Sequence, residues 1–469
     1  MMRKHFWLIL FLLIFDTPVS YAAQNAMPLS LKQSIELALQ NNIDVLLARA
    51  RAQEAQGQKM VWNADLLPQI DAVASQERTW WENIGALGFP GFTGVIGPFN
   101  TFNAGIMVSQ RILDFSALAH AQAGRIKWKS SQLEIELASQ QVVLATSLAY
   151  IQALGYEEEL SSSYEDVRLA ENFLSLSEHQ QDVGLASVLD VARERTQLAQ
   201  QKARQEELRL NVVKSQLELK RLIKIPLSQP IELMDVLDTR KYEYLNVNDA
   251  IAHAREDRME MLVAHADSDY SFAELKASKR EYLPKIDLTG EWGEAGLSPD
   301  KDVTHAANAM VSISLPIWDS GSIAGDIKEK AGLNEEEKIK SDDLNWKIEE
   351  DVRVALETLV STRAQVDAES QVEDFAQREL TLAKDRFSAG LGDNIQVINA
   401  QDALADARDK YIQTESQYDQ AQLNYFGALG NPRQFNLSGN DEFTKLKQLG
   451  LLGDPRKFDL SINNKEGNS

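Results

Sequence analysis

Cysteine is absent from all 469 residues. That excludes disulfides, thiol nucleophiles and thiolate metal sites, and with them the lipid-bearing cysteine of a bacterial lipoprotein. Long apolar runs are scarce as well. The one such stretch, Phe6 to Phe15, is about half of the roughly 20 residues that a membrane-spanning helix needs. Basic residues are outnumbered, 48 against 70 acidic, for a formal net charge of −22; such a surface repels phosphate backbones and excludes nucleic acid as a partner. Histidines number six, and His253 and His265 lie 12 positions apart on an expected helix, about three turns from each other and far from the i, i+4 spacing of a metal pair. GxSxG, HExxH and GxxxxGK patterns are missing too. The expectation is no catalytic residue, no metal and no cofactor.

What is present begins with Arg3 and Lys4, the short apolar run, and small residues at Ser20 and Ala22. That order reads as a secretory signal peptide over residues 1–22. An exported chain without a spanning helix either stays soluble or enters a membrane as β-strands.

The remainder repeats itself. SLKQSIELALQNN from Ser30 is matched by NVNDAIAHAREDR from Asn246, and DLLPQID from Asp65 by EYLPKID from Glu281, both 216 positions later. RILDFSA with Asp114 is matched by PIWDSGS with Asp319, 205 later, whereas Gly184 is matched by Gly390 and Pro226 by Pro432, each 206 later. The change in offset places an insertion of about ten residues in the first half, between the LP motif and the Asp motif. The expected layout is a first repeat over 23–226 with a β-hairpin at about 69–111 and a tip near 184, and a linker over 227–245. A second repeat over 246–432 has its hairpin at about 285–316 and its tip near 390, and a polar tail covers 433–469.

Local patterns fill in each half. Ser30 and Gln33 have capping-box spacing ahead of an apolar stripe, and Pro68 and Pro284 mark where helix gives way to extended chain. After Pro284, Ile286, Leu288 and Trp292 alternate with Lys285, Asp287, Thr289 and Glu291, and Val311, Ile313 and Leu315 alternate with Ser312 and Ser314, the period of a strand with one polar face. QIDAVAS and GIMVSQR alternate less cleanly. Four strands in two hairpins result. Leu133, Leu137, Leu144, Leu148 and Ile151, then Leu208, Val212, Leu219 and Leu222, have coiled-coil spacing, and no proline interrupts Ala117 to Gln181.

Strands with one apolar and one polar face suit lipid on one side and water on the other, yet four cannot close a barrel, and an open edge in lipid leaves backbone groups unsatisfied. The chain should therefore be an obligate oligomer. A soluble periplasmic coiled-coil scaffold is the alternative of a different class, but a scaffold does not require the four strands. The doubled order of SLxxxIxLALxNN, LPxI, and the VGL and AGL turns at Val183 and Ala389 resembles the TolC family of outer membrane efflux proteins over Ser30 to Pro432.

The resemblance implies a mixed α and β membrane protein. Its four strands per chain contribute to a trimeric 12-stranded outer-membrane β-barrel, continued by a long α-helical coiled-coil barrel in the periplasm. It implies a homotrimer that is a passive export duct, docked on a periplasmic adaptor and through it on an inner-membrane pump, with drug or small-molecule efflux or type I protein secretion as the task. Val183, Gly184, Leu185, Ala389, Gly390 and Leu391 then form the adaptor-docking tips. Asp182, Asp190, Asp393, Gln396 and Asn399 line the periplasmic entrance. Family aspartate rings map onto Gln396 and Asn399, which are uncharged, and the basic partner of the family's first-tip aspartate, here Asp190, maps onto Gly392.

The glycine triplets of GALGFPGFTGVIGPF, Gly85 to Phe99, fall in the insertion between the first two strands. Strand one runs away from the periplasmic helices, so the loop belongs at the extracellular rim, with Phe89, Phe92 and Phe99 facing the exit or the lipid. From Gln396 and Asn399 we expect weaker block of single-channel current by multivalent cations than in relatives with aspartate rings. Block at equal potency would refute the assignment.

Overall fold

The computed structural model describes residues 26–81, 96–237, 244–389 and 391–437; the proposed signal peptide, Phe89, Phe92, Gly390 and the tail beyond 437 lie outside them. The first half runs β1 (Met27–Leu29), α1 (Leu31–Asn41), α2 (Ile43–Ala64), β2 (Gln69–Trp81), β3 (Ile96–Leu113), α3 (Phe115–Asp182) and α4 (Val188–Ile223). The second runs β4 (Ile231–Leu233), α5 (Val247–Asp257), α6 (Met259–Lys279), β5 (Lys285–Gly296), β6 (Thr304–Ser314), α7 (Ser322–Ser388) and α8 (Asn394–Ala428). At 68 and 67 residues, α3 and α7 are rods of ~100 Å each.

The matched motifs do the same physical job in both halves. Pro68 and Pro284 stand directly before β2 and β5. Asp114 accepts hydrogen bonds from the Ser116 and Ala117 N–H groups, and Asp319 from those of Gly321 and Ile323; each carboxylate caps the long helix that leaves the sheet. The backbone hydrogen bonds, led by the one from Ile323, hold Asp319 below the usual carboxylate range. Ser30 and Gln33 make the anticipated capping box. At the other end, Lys224 (φ 57°) closes α4 and Gly430 (φ 87°) follows α8, both left-handed and both two residues before a proline. The helix expected after Ser30 is broken at Asn42, which caps α1 and α2, and the corresponding break falls at Arg258.

The hairpins join through β3 and β5 into one antiparallel sheet ordered β2-β3-β5-β6. Register sets the faces. Ile70 lies opposite Val108, Ile106 opposite Trp292, and Leu288 opposite Val311, whereas Ser75 faces Asn103 and Glu291 faces Asn308. One side is thus largely apolar and yet exposed: Ile70, Trp292 and Ile313 are 64–70% accessible. At the joint between hairpins Gly105 pairs with Gly293, and a Cβ on Gly293 would lie 2.2 Å from the Ala104 carbonyl oxygen. Only glycine allows that approach. Phe99, expected in the extracellular loop, is instead within β3, opposite Thr79: the ladder extends further from the helices than the glycine spacing suggests.

Two further features depart from the sequence reading. Residues 227–245, read as a linker, include β4, which pairs in parallel with β1 and buries Leu233, Met234 and Asp235. Of the α3 stripe only Ile151 is fully buried, and Leu133, Leu137, Leu144 and Leu148 are half-buried; small residues, Ser139, Thr146, Ser147, Ala149 and Ala153, share the packed face with Val142, Val143, Tyr150, Ile151 and Leu154. Small side chains bring helix axes close together, so volume as well as hydrophobicity selects this face.

A buried polar clasp fixes β1 and β4 to α3. The Tyr150 hydroxyl, fully inaccessible, lies 2.7 Å from Asp235 Oδ2 and 2.8 Å from the Leu29 carbonyl, and the Leu31 N–H donates to the same Oδ2 at 2.7 Å. Burial, then the Asp235 charge, pushes the phenol far above its ordinary range, so it stays a donor at every physiological pH. Leu219, Ile223, Leu233, Leu423 and Phe435 pack around it. Tyr150→Phe should therefore cost about 1–3 kcal/mol in thermal unfolding of the detergent-solubilised protein. A change below ~0.5 kcal/mol, the size of an ordinary surface substitution, would rule the clasp out as a stabilising element.

Candidate functional site

The ends of the long helices away from the sheet form two tips. At the first, α3 stops at Val183 and the chain reverses through Gly184, whose φ of 79° is left-handed. The Gly184 N–H bonds the Gln181 carbonyl and the Leu185 N–H that of Gln180, the paired bonds of a Schellman motif. Val183 and Leu185, 69% and 79% accessible, are thereby held out from the turn. Ser187 then caps α4 with Asp190 in a reciprocal box: Asp190 N–H donates to Ser187 Oγ, while Ser187 N–H and Oγ–H donate to Asp190 Oδ2. These bonds, the hydroxyl first, hold Asp190 below the usual carboxylate range.

The second tip shares the longer of the two turn bonds. The Leu391 N–H bonds the Arg386 carbonyl at 2.8 Å, Ala389 and Leu391 are exposed, and Asp393 caps α8 through the Ile395 N–H. Gly392 stands against the last turn of α7; a Cβ there would meet Phe387 N at 3.1 Å. A basic side chain at 392 would need that turn to give way. Asp190 takes its cation from its own helix instead, with Arg193 Nη1 at 3.5 Å. Asp182, Asp393, Gln396 and Asn399 all face solvent.

Between the tips the two return helices meet along a polar seam that sequence reasoning did not anticipate. Glu194 accepts a hydrogen bond from Asn394 Nδ2 at 2.9 Å. Further along, Gln197 and Gln201 approach Asp402, and Arg204 pairs with Asp409. Below these side chains an apolar cluster of Phe173, Leu380, Phe387, Val397 and Leu404 joins α3, α7 and α8. At the surface, Leu189, Thr196, Ile395 and Ile398 line a shallow groove beside the seam. In sequence, Glu194 lies among charged residues and reads as a solvated face. Only the matching Asn394 at the start of the other return helix could have indicated a partner.

Comparison with known proteins fits this geometry. A family model described as outer membrane efflux protein matches residues 34–223 and 250–431. The toluene efflux pump outer membrane protein TtgC of Pseudomonas putida is 26% identical over 431 residues, covering 86% of this chain and 83% of the relative. Outer membrane protein TolC of Escherichia coli is 22% identical over 356 residues, covering 71% and 70%. In fold, the crystal structure of the CmeC outer membrane channel of Campylobacter jejuni superposes with a TM-score of 0.73 at 20% identity, covering 92% of this chain and 90% of that one.

The Gly184 turn is testable alone. Gly184→Ala has open space around its Cβ and so pays only the left-handed backbone strain, about 1–2 kcal/mol. Hydrogen exchange should accelerate for the amides of Gln180 to Ser187 with little change elsewhere. Unchanged exchange there would show that the turn tolerates a side chain.

Proposed function

The chain belongs to the outer membrane efflux protein family, and from that premise we propose how it works: three copies close one duct across the outer membrane. It is an outer-membrane export component whose helices extend into the periplasm. The observation that carries the proposal is the pair of open sheet edges. Among the described residues β2 and β6 are each hydrogen-bonded on one side only, and they run in opposite directions. Joining β6 of one copy to β2 of the next keeps every pairing antiparallel. An even, closed, all-antiparallel set leaves no backbone group unpaired in lipid, and three copies supply twelve strands. The apolar face bearing Ile70, Trp292 and Ile313 then meets lipid, and Ser75, Glu291 and Asn308 meet water.

The tips are proposed as the adaptor contact. Val183, Leu185 and Leu391, together with Val188 and Leu189, are apolar side chains at 58–79% accessibility on rigid turns, the kind of protruding anchor that dominates a protein interface. Asp182, Asp190 and Asp393 make the mouth electronegative, with Gln396 and Asn399 as uncharged lining. Transport is passive and no bond is made or broken in the duct; energy enters at an inner-membrane pump that reaches this chain through the adaptor.

The double variant Leu185→Asp, Leu391→Asp should keep a detergent-stable trimer in the outer-membrane fraction while losing cross-linking to the adaptor and export. A monomer in detergent, or a wild-type protein released by salt alone, would sink the duct reading. Full cross-linking by the variant would sink the tip assignment.

A further inference from the structure

Glu194 and Asn394 are both almost completely buried, at 0% and 2% accessibility, and each has one polar atom without a partner: Glu194 Oε2 and Asn394 Oδ1. Their other atoms already meet, Asn394 Nδ2 donating to Glu194 Oε1 at 2.9 Å and standing 3.4 Å from Ser177 Oγ on α3. A dry carboxylate with one oxygen unpaired is costly. One proton resolves both defects, because a carboxylic acid beside a primary amide closes a ring of two hydrogen bonds, N–H to C=O and O–H to C=O.

We infer that Glu194 and Asn394 form a proton-dependent latch between α4 and α8 at the periplasmic entrance. With Glu194 neutral, Oε2–H donates to Asn394 Oδ1 while Asn394 Nδ2–H donates to Oε1. When the proton leaves to solvent, the first of these bonds is lost and a carboxylate remains in a dry site.

Among the described residues no cation pairs with Glu194, and the one charge acting on it is the like charge of Asp190. On α4, Arg193 is engaged with Asp190 and Arg195 with Glu178 of α3. The other titratable groups at this end are His179 and Asp182 on α3, Lys384, Asp385 and Arg386 on α7, and Asp393 and Asp402 on α8. Burial pushes Glu194 up to about 7 against the Asn394 hydrogen bond, and the Asp190 charge acts in the same direction as burial. The folded value exceeds the unfolded one, so the latch contributes fully below the ordinary carboxylate range and is lost as pH rises through about 7. The neighbouring α4–α8 contacts along the seam, Gln197 and Gln201 with Asp402 and Arg204 with Asp409, are polar as well. An acidic periplasm thus holds the entrance more firmly than an alkaline one; that consequence rests on the duct reading, whereas the latch does not.

The test uses the intact trimer in detergent. Difference infrared spectra between about pH 6 and about pH 8 should show loss of the carbonyl band of a hydrogen-bonded carboxylic acid, as the protonated fraction of a group titrating near 7 falls roughly tenfold. Glu194→Gln, which rebuilds the ring as an amide–amide pair at every pH, should lack that band. Over the same interval, hydrogen-exchange protection of the first turn of α8, corrected for intrinsic rate, should fall in the wild type and stay constant in Glu194→Gln. No band assignable to Glu194, or the same pH response in Glu194→Gln, overturns the latch. Planar-bilayer current without adaptor reads the duct separately: absence of any conductance counts against the duct, whatever the infrared result.

Discussion

The backbone at the edges of a four-stranded sheet is the constraint on which the rest depends. In water an open edge is tolerable; in hydrocarbon each unpaired N–H and C=O costs several kcal/mol, and β2 and β6 are long edges. In the proposed duct another copy of the same sheet meets each edge. Closure in turn fixes where the helices go, since each hairpin is tied through a capping aspartate to the long rod that follows it. The exposed apolar side chains lie where such an assembly would cover them: isoleucines and Trp292 on one sheet face, and leucines half-covered along α3.

The architecture was legible in the sequence where a single residue type carries a backbone requirement. Proline before each first strand, aspartate at each strand-to-helix corner and Gly184 at the first tip were all readable, because backbone geometry leaves few substitutes. Strand period was legible in the second hairpin, and the ladder in the first proved longer than its pattern, placing Phe99 inside β3. The β1–β4 pair was not legible. Three residues on each side give no period, and the partners lie some 200 positions apart, so nothing local distinguishes them from connecting chain.

The tips divide in the same way. Turn chemistry announces itself, but the use of a charged side chain does not. Asp190 carries the residue type of an entrance aspartate, yet its hydrogen bonds go to Ser187 of its own helix start, and its cation is Arg193 of the same helix. Glu194 is the reverse case: a carboxylate in a run of charged residues that proves to be buried. Coiled-coil return helices of low apolar content must put some polar groups inside, and pairing decides which, through contacts across two repeats that no window of sequence contains.

One property of α3 bears on how such an object moves. Across its 68 residues there is no proline, and its two glycines are not hinges, since a Cβ on Gly124 would meet the Trp62 ring and one on Gly155 would meet Ser416. A rod of that kind has no proline or open glycine at which to kink and absorb a displacement imposed at one end. It behaves as a torsion bar: rotation applied at the tip is passed toward its mid-length, where Tyr150 anchors it. Gripping the periplasmic end and loosening the Tyr150 clasp therefore act on the same column.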